Sequence, residues 1–198
     1  MEPEAVKSWR RAERERLLTW RTGVPAAQRR AWGNSIEAAL KLLLQEQDGT
    51  LGAYWPFRAE FDPHPLIAWA IGEGWRIALP VVVDRKGPLE YRAWKPGEPL
   101  VDGVWNIPIP EKRDVAIPDI VLAPLVGFDP AGYRLGYGGG YFDRTLAALA
   151  AAGGGPLAIG VGFEFSRLGT IHPQPFDIPM NLIVTEAGIV CGAIRSRT

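Results

Sequence analysis

Four of the five residues Gly136–Gly140 are glycine. They stand between an apolar run of strand length, Ile120-Val-Leu-Ala, and an alanine- and leucine-rich run from Thr145 with helical character. A junction of this kind requires an architecture in which a strand hands over to a helix, and it narrows the function as well. Without a Cβ, the backbone of Gly136, Gly138, Gly139 and Gly140 can take positive φ and turn successive N–H groups toward an anion. The following helix adds unpaired N–H donors and the positive end of its dipole. Phosphate is the ligand chemistry that suits such a loop.

Two familiar glycine motifs do not fit. A Walker A loop ends in Gly-Lys-Ser/Thr, whereas Gly140 is followed by Tyr141 and Phe142. A dinucleotide fingerprint starting at Gly136 needs glycine at position 141, which is tyrosine. A plain tight connection without a ligand competes with the phosphate reading, but four glycines weaken a turn that two could make. Arg134 and Asp143 bracket the loop, and they favour a ligand: an arginine can pair with phosphate, and a carboxylate can hold a hard cation such as Mg²⁺ that travels with a nucleotide.

The remaining chain reads as alternating helices and strands. Helices are predicted over residues 3–21, from Pro25 to about Gln47, around Pro65 to Glu73, and from about Asp143 to Ala152, where Gly153-Gly-Gly-Pro156 ends the last one. Arg76 to Val83 and Leu157 to Phe163 are nearly continuous apolar runs, as expected of strands buried on both faces of a largely parallel sheet. Leu89 to Trp94 alternates more and is expected nearer an edge, a long irregular connection is expected from Pro96 to Pro118, and Asn181–Thr185 and Gly188–Val190 are short terminal strands. This pattern predicts one layered α/β domain with a mostly parallel central sheet flanked by helices. At 198 residues and 47% hydrophobic, the chain can bury a full core.

Composition excludes several classes of function. Net charge is zero, which points to neither nucleic acid nor an anionic membrane as partner. A single cysteine, Cys191, and two histidines exclude an intramolecular disulfide and argue against a His/Cys zinc site. With no apolar run of membrane-spanning length, the expectation is a soluble cytoplasmic monomer without a targeting segment. Charge is uneven, however: residues 1–30 carry eight Lys or Arg against four Glu.

Two segments carry candidate binding residues. In the first helix Val6, Trp9, Leu17 and Trp20 recur near helical spacing, and the other face carries Lys7, Arg11 and Arg14. Lys7 and Arg11 lie one turn apart, so they could share a polyphosphate or form a solvated basic face. In Leu51-Gly-Ala-Tyr-Trp-Pro-Phe-Arg-Ala-Glu60, the rings of Tyr54, Trp55 and Phe57 can stack on a flat heterocycle, while Glu60 can accept from its N–H donors. Core aromatics beside a solvated glutamate are the alternative.

The stretch Gly-x-Arg-Leu-Gly-x-Gly-x-Gly-Tyr-Phe-Asp-Arg, ending at Arg144, resembles the signature of the 5-formyltetrahydrofolate cyclo-ligase family. The resemblance extends from Lys7 to Thr185. It implies ATP- and Mg²⁺-dependent cyclisation of 5-formyltetrahydrofolate to 5,10-methenyltetrahydrofolate, with ATP and reduced folate as small-molecule partners. It further implies ATP binding by Lys7, Arg11, Arg134, Gly136, Tyr137, Gly138, Gly139, Gly140 and Tyr141, and folate binding by Tyr54, Phe57, Glu60, Trp105 and Tyr141. Arg134, Tyr141 and Asp143 carry the catalytic role by the same resemblance, and Asp143 and Asp177 hold the metal. The chain departs from the family pattern at Phe176, where histidine is usual, at Ser166, near the expected glutamine, and at His172, where proline is common. These departures keep two other readings in view: a folate- or nucleotide-binding paralogue without turnover, and an ATP-dependent enzyme for another N-formyl heterocycle.

Overall fold

The computed structural model describes residues 2–192. Helix α1 (Pro3–Gly23) begins with proline in its first turn, where no backbone donor is lost, and ends as Val24 turns extended and donates to Trp20 and Arg21. Helix α2 (Ala26–Leu44) buries Ile36, Leu40 and Leu44, one face at 3.6-residue spacing. After strand β1 (Thr50–Gly52) come helix α3 (His64–Gly72), strand β2 (Arg76–Val81) and strand β3 (Glu90–Ala93). Strands β4 (Leu100–Asp102) and β5 (Pro108–Pro110) pair as a separate antiparallel hairpin around a 3-10 turn at Val104–Asn106. The stretch from Pro96 to Pro118 is therefore not a plain irregular loop.

Strand β6 (Ile120–Pro124) does not lead directly into the glycine stretch either. A two-stranded antiparallel pair, β7 (Gly127–Phe128) and β8 (Arg134–Leu135), intervenes, and Arg134 and Leu135 are the residues that enter the loop. Helix α4 (Tyr141–Gly153), strand β9 (Leu157–Val161), strand β10 (Leu182–Thr185) and strand β11 (Gly188–Gly192) complete the described chain.

The main sheet has the order β11-β10-β9-β6-β1-β2-β3. The five inner strands are parallel, and β3 and β11 close the two edges antiparallel. Both faces are covered. Ile120 and Leu122 of β6 pack with α2 and α3 in one cluster, and Val121 and Ala123 face the other way with Tyr91, Leu146, Met180 and Ile183. That period-2 split inside an unbroken apolar run is what burial on two faces demands.

The order also fixes where a ligand goes. From β1 the chain first builds outward through β2 to β3, then returns to lay β6 on the other side of β1, so the winding reverses between β1 and β6. Loops leaving the carboxyl ends of those two strands diverge and leave a crevice. They are the segments holding Glu60 and Gly136–Gly140.

At Gly52, on the central strand, an added Cβ would stand 2.9 Å from Tyr91 Cε1, 3.0 Å from Pro118 Cβ and 3.2 Å from the Ile120 carbonyl. The backbone there cannot retreat without breaking the ladder to β2 and β6. Gly52→Ala should therefore cost about 1–3 kcal/mol by overpacking. Urea denaturation should read this as a lower midpoint at unchanged m-value, and an unshifted midpoint would mean that this contact is loose.

Candidate active site

Helix α1 lies across the crevice, and its buried residues are Val6, Arg10, Leu17 and Arg21. This face differs from the expected stripe: Trp20 is half exposed and packs against Phe165 at 4.7 Å, while two arginines turn inward. They do so because the loops beneath present carbonyls with no ladder partner. Arg10 donates to the Ile171 and His172 carbonyls, both at 2.9 Å, and forms a buried ion pair with Asp177. Arg14 donates to the Gly136 carbonyl at 2.7 Å, and Arg21 donates to the Arg58 carbonyl at 3.0 Å and the Leu125 carbonyl at 3.1 Å. Burial, and after it the charge of Arg10, lowers the Arg14 pKa, while Asp177 opposes the shift.

Of the glycines in the loop, Gly138 and Gly140 take positive φ, +97° and +64°, and Gly140 is the residue that opens α4. Gly136 and Gly139 do not, so two of the four glycines use the freedom that all four have. Gly139 is required for a different reason, because a Cβ there would come within 2.9 Å of the Tyr141 ring. Arg134, 7% exposed, faces Asp143 at 3.2 Å and lies 5.3 Å from the Phe142 ring centroid. Burial lowers its pKa while Asp143 and then Asp177 pull it back up, so both carboxylates lie within electrostatic reach of one guanidinium. Arg134 Nε is buried with no partner, a donor left over for a ligand.

Glu60 is not a solvated surface residue. Its side chain is 4% exposed, with Oε2 accepting from the Phe57 N–H at 2.8 Å, Oε1 accepting from the Tyr137 hydroxyl at 2.8 Å, and Arg21 at 4.0 Å. Arg58 and Ala59, immediately before it, both have positive φ, +48° and +61°. Such non-glycine conformations cost of order 1–3 kcal/mol each, so the turn is held by its surroundings, Arg21 included. Phe57 packs 5.8 Å from Tyr137. Tyr54 needs correction: it is a core residue, 3% exposed, and its hydroxyl donates to the Phe61 carbonyl, so it forms the floor under Glu60 and does not line the crevice.

Trp105 is 60% exposed, at φ +60°, with its ring 6.0 Å from Tyr141. Arg144 covers the Tyr141 ring from 5.0 Å. A groove of about 590 Å³ is lined by Arg11, Arg14, Glu15, Leu18, Thr19, Thr22, Arg58 and Tyr137. Lys7 is outside it, exposed and paired with Glu4 at 3.4 Å. Phe176 is 71% exposed, Ser166 is buried with its hydroxyl on the Phe163 carbonyl, and the His172 ring packs edge-on against Trp9 at 4.7 Å. A larger hollow of about 750 Å³ at the β3 edge contains none of the candidate residues.

The arrangement has two arms. One gathers Arg14, Gly136–Gly140, Arg134 and Asp143 around backbone and guanidinium donors, which suits a polyphosphate. The other gathers Glu60, Phe57 and Tyr137, a buried acceptor beside rings. Among the described residues no group of three or more His, Cys, Asp or Glu gathers as a metal cage. Asp177 is paired with Arg10 and Asp143 with Arg134, so a magnesium ion at these two carboxylates would have to draw most of its ligands from phosphate and water, which is its common habit. Sequence reasoning missed Arg10 and Arg21 as packed residues, although 6, 10, 17 and 21 follow helical spacing. It also missed Asp129, 2% exposed, which accepts from the N–H groups of Ala131, Tyr133 and Ile171 and so ties the β7–β8 turn to the loop beneath Arg10.

The profile of the 5-formyltetrahydrofolate cyclo-ligase family matches residues 6–186. Over 147 residues, 71% of this chain and 79% of the relative, the chain is 32% identical to the 5-formyltetrahydrofolate cyclo-ligase of Escherichia coli (strain K12). It is 31% identical to that of Mycolicibacterium smegmatis over 187 residues, 89% of this chain and 94% of the relative. The NMR structure of Aquifex aeolicus 5,10-methenyltetrahydrofolate synthetase superposes with a TM-score of 0.80 and 26% identity, covering 96% of this chain and 95% of that one. No helix among the described residues is long and apolar enough to cross a membrane.

Burial, the largest influence, raises the Glu60 pKa against the opposing pull of Arg21 and its two hydrogen bonds. Between the ordinary carboxyl range and that raised value the folded chain holds a proton that the unfolded chain has lost, so stability falls as pH rises through this window. Glu60→Gln does not titrate. Its melting temperature relative to the parent should therefore climb as pH rises above the ordinary carboxyl range, about 4. A constant or shrinking difference would contradict a desolvated carboxylate.

Proposed function

The chain belongs to the 5-formyltetrahydrofolate cyclo-ligase family, and on that premise we propose that its two-armed crevice converts 5-formyltetrahydrofolate and ATP into 5,10-methenyltetrahydrofolate, ADP and phosphate. The observation that carries this reading is the meeting of a donor-lined glycine loop with a buried acceptor on opposite walls of one crevice. A formamide oxygen is a poor leaving group, so the oxygen must be activated before the ring can close. ATP transfers its terminal phosphoryl group to that oxygen, the N10 nitrogen attacks the formyl carbon, its proton is lost, and the carbon–oxygen bond breaks with release of phosphate.

The residues of the chain chiefly align reactants and neutralise charge. Arg14, Arg11 and the loop N–H groups receive the phosphates. Arg134, buried and with Nε unpaired, faces the charge that develops during transfer. Asp143 and Asp177 would hold a nucleotide-borne Mg²⁺, which supplies positive charge to the phosphate oxygens when bound. Lys7, exposed, paired with Glu4 and one turn from Arg11, stands outside the groove and would meet only the outer end of a bound nucleotide. On the folate side Glu60 accepts from the pterin N–H groups, Phe57 and Tyr141 offer ring faces, and Trp105 closes from the β4–β5 hairpin. Phe176, exposed in its loop, is none of the residues assigned to these contacts, so its presence where histidine is usual does not count against turnover.

Coupled measurement of ADP release and methenyl-folate absorbance across a Mg²⁺ titration tests the reading. The parent should form both products in equal amounts, and Asp143→Asn should lose ~10²-fold or more in turnover by analogy with other electrostatic deletions. A folded parent that releases no ADP, or releases it without methenyl-folate, would overturn the proposal.

A further inference from the structure

A tyrosine hydroxyl hydrogen-bonds one arm of the crevice to the other. Tyr137 belongs to the glycine loop and lines the arginine-rich groove, yet its oxygen lies 2.8 Å from Glu60 Oε1 on the opposite wall. Arg21 donates to the same oxygen. A phenol has one proton, and with an arginine donating to its oxygen that proton can go only to an acceptor. Here the acceptor is Glu60. Burial and the neighbouring Glu60 charge raise the Tyr137 pKa, so the hydroxyl keeps the proton it donates.

A polyphosphate entering the groove brings new acceptors to the other side of that hydroxyl. From these observations, and resting on the reading above that the groove takes ATP and Glu60 takes the folate, we propose that Tyr137 passes its single hydrogen bond from Glu60 to the nucleotide, so that ATP uncovers the carboxylate for the substrate. With its side chain 4% exposed and Oε1 already engaged, Glu60 is poorly placed to receive a pterin until that bond is withdrawn. Tyr137 stands between Gly136 and Gly138, so neither neighbour in the chain puts a side chain in the way of its ring. The coupling has a definite sign. Nucleotide should tighten folate binding, and by linkage folate should tighten nucleotide binding by the same factor. Arg21 is the positioning residue for this transfer, because its donation leaves Tyr137 only the donor role.

Calorimetric titration of the full chain with 5-formyltetrahydrofolate, alone and with a saturating non-hydrolysable ATP analogue, measures this directly. The parent should bind the folate at least about fivefold tighter with the analogue, the lower bound of typical coupling, and the reverse titration should return the same factor. Tyr137→Phe keeps the ring beside Phe57 but removes the proton, and its ratio should fall to within about twofold of unity. Tyr137→Met also lacks the proton and should give the same collapse, so the result does not hang on one variant folding. A tyrosine with only a structural role would weaken both ligands and leave the ratio unmoved. A parent ratio of one or below, or a parent-like ratio in either variant, overturns the proposal while leaving the enzyme reading intact. A folded parent that binds neither ligand overturns both.

Discussion

The site depends on guanidinium groups from one helix satisfying the carbonyls of loops that have no sheet to join. Arg10, Arg14 and Arg21 lie along one side of α1, the first two one turn apart and the third two turns further on, and together bind carbonyls at residues 58, 125, 136, 171 and 172. An unpaired buried carbonyl is costly, and charge-assisted donors are the strong remedy. Each arginine must in turn be compensated in the protein interior. Arg10 meets Asp177 in an ion pair with both side chains 9% exposed, and Arg21 meets Tyr137 and Glu60. Removing one member of such a buried pair typically costs about 3–5 kcal/mol, because its partner is left uncompensated.

This dependence links the fold to the chemistry. The sheet supplies the crevice through its reversal between β1 and β6, but it does not shape the walls. The walls are irregular loops, two of them with consecutive left-handed non-glycine residues, Arg58-Ala59 and Trp105-Asn106. Loops of that kind carry function when a rigid frame holds them. Helix α1 is such a frame for the loop of Arg58, so the same arginine-rich helix both fixes that wall and charges the groove for an anion.

The parallel sheet was legible from its apolar runs, and the edge position of β3 from the alternation in Leu89 to Trp94, because strand burial writes itself in local periodicity. Helix boundaries differed by at most a few residues. The tight turn into α4 at 136–140 was legible from its glycines, although only Gly138 and Gly140 take positive φ. What remained hidden arose from long-range pairing. Nothing near Arg10 in sequence reveals Asp177, and nothing near Glu60 reveals Tyr137, which lie 167 and 77 positions away. The left-handed residues Arg58, Ala59, Trp105 and Asn106 are not glycine, so their strain carried no local signature. Tyr54 read as a ligand-facing ring because aromatic type does not distinguish a floor from a wall.

If the α1 arginines hold the walls while the sheet stands by itself, then cutting one tie should loosen the loops and leave the strands alone. Hydrogen exchange on Arg10→Met is the most direct measurement, since methionine keeps much of the side-chain volume while removing the donors to Ile171, His172 and Asp177. Amide protection should drop selectively across residues 169–178 and in the 129–137 segment tied to them through Asp129, with β6 and β9 exchanging as in the parent. Unchanged protection in both loops, or a uniform loss that includes the central strands, would contradict this account.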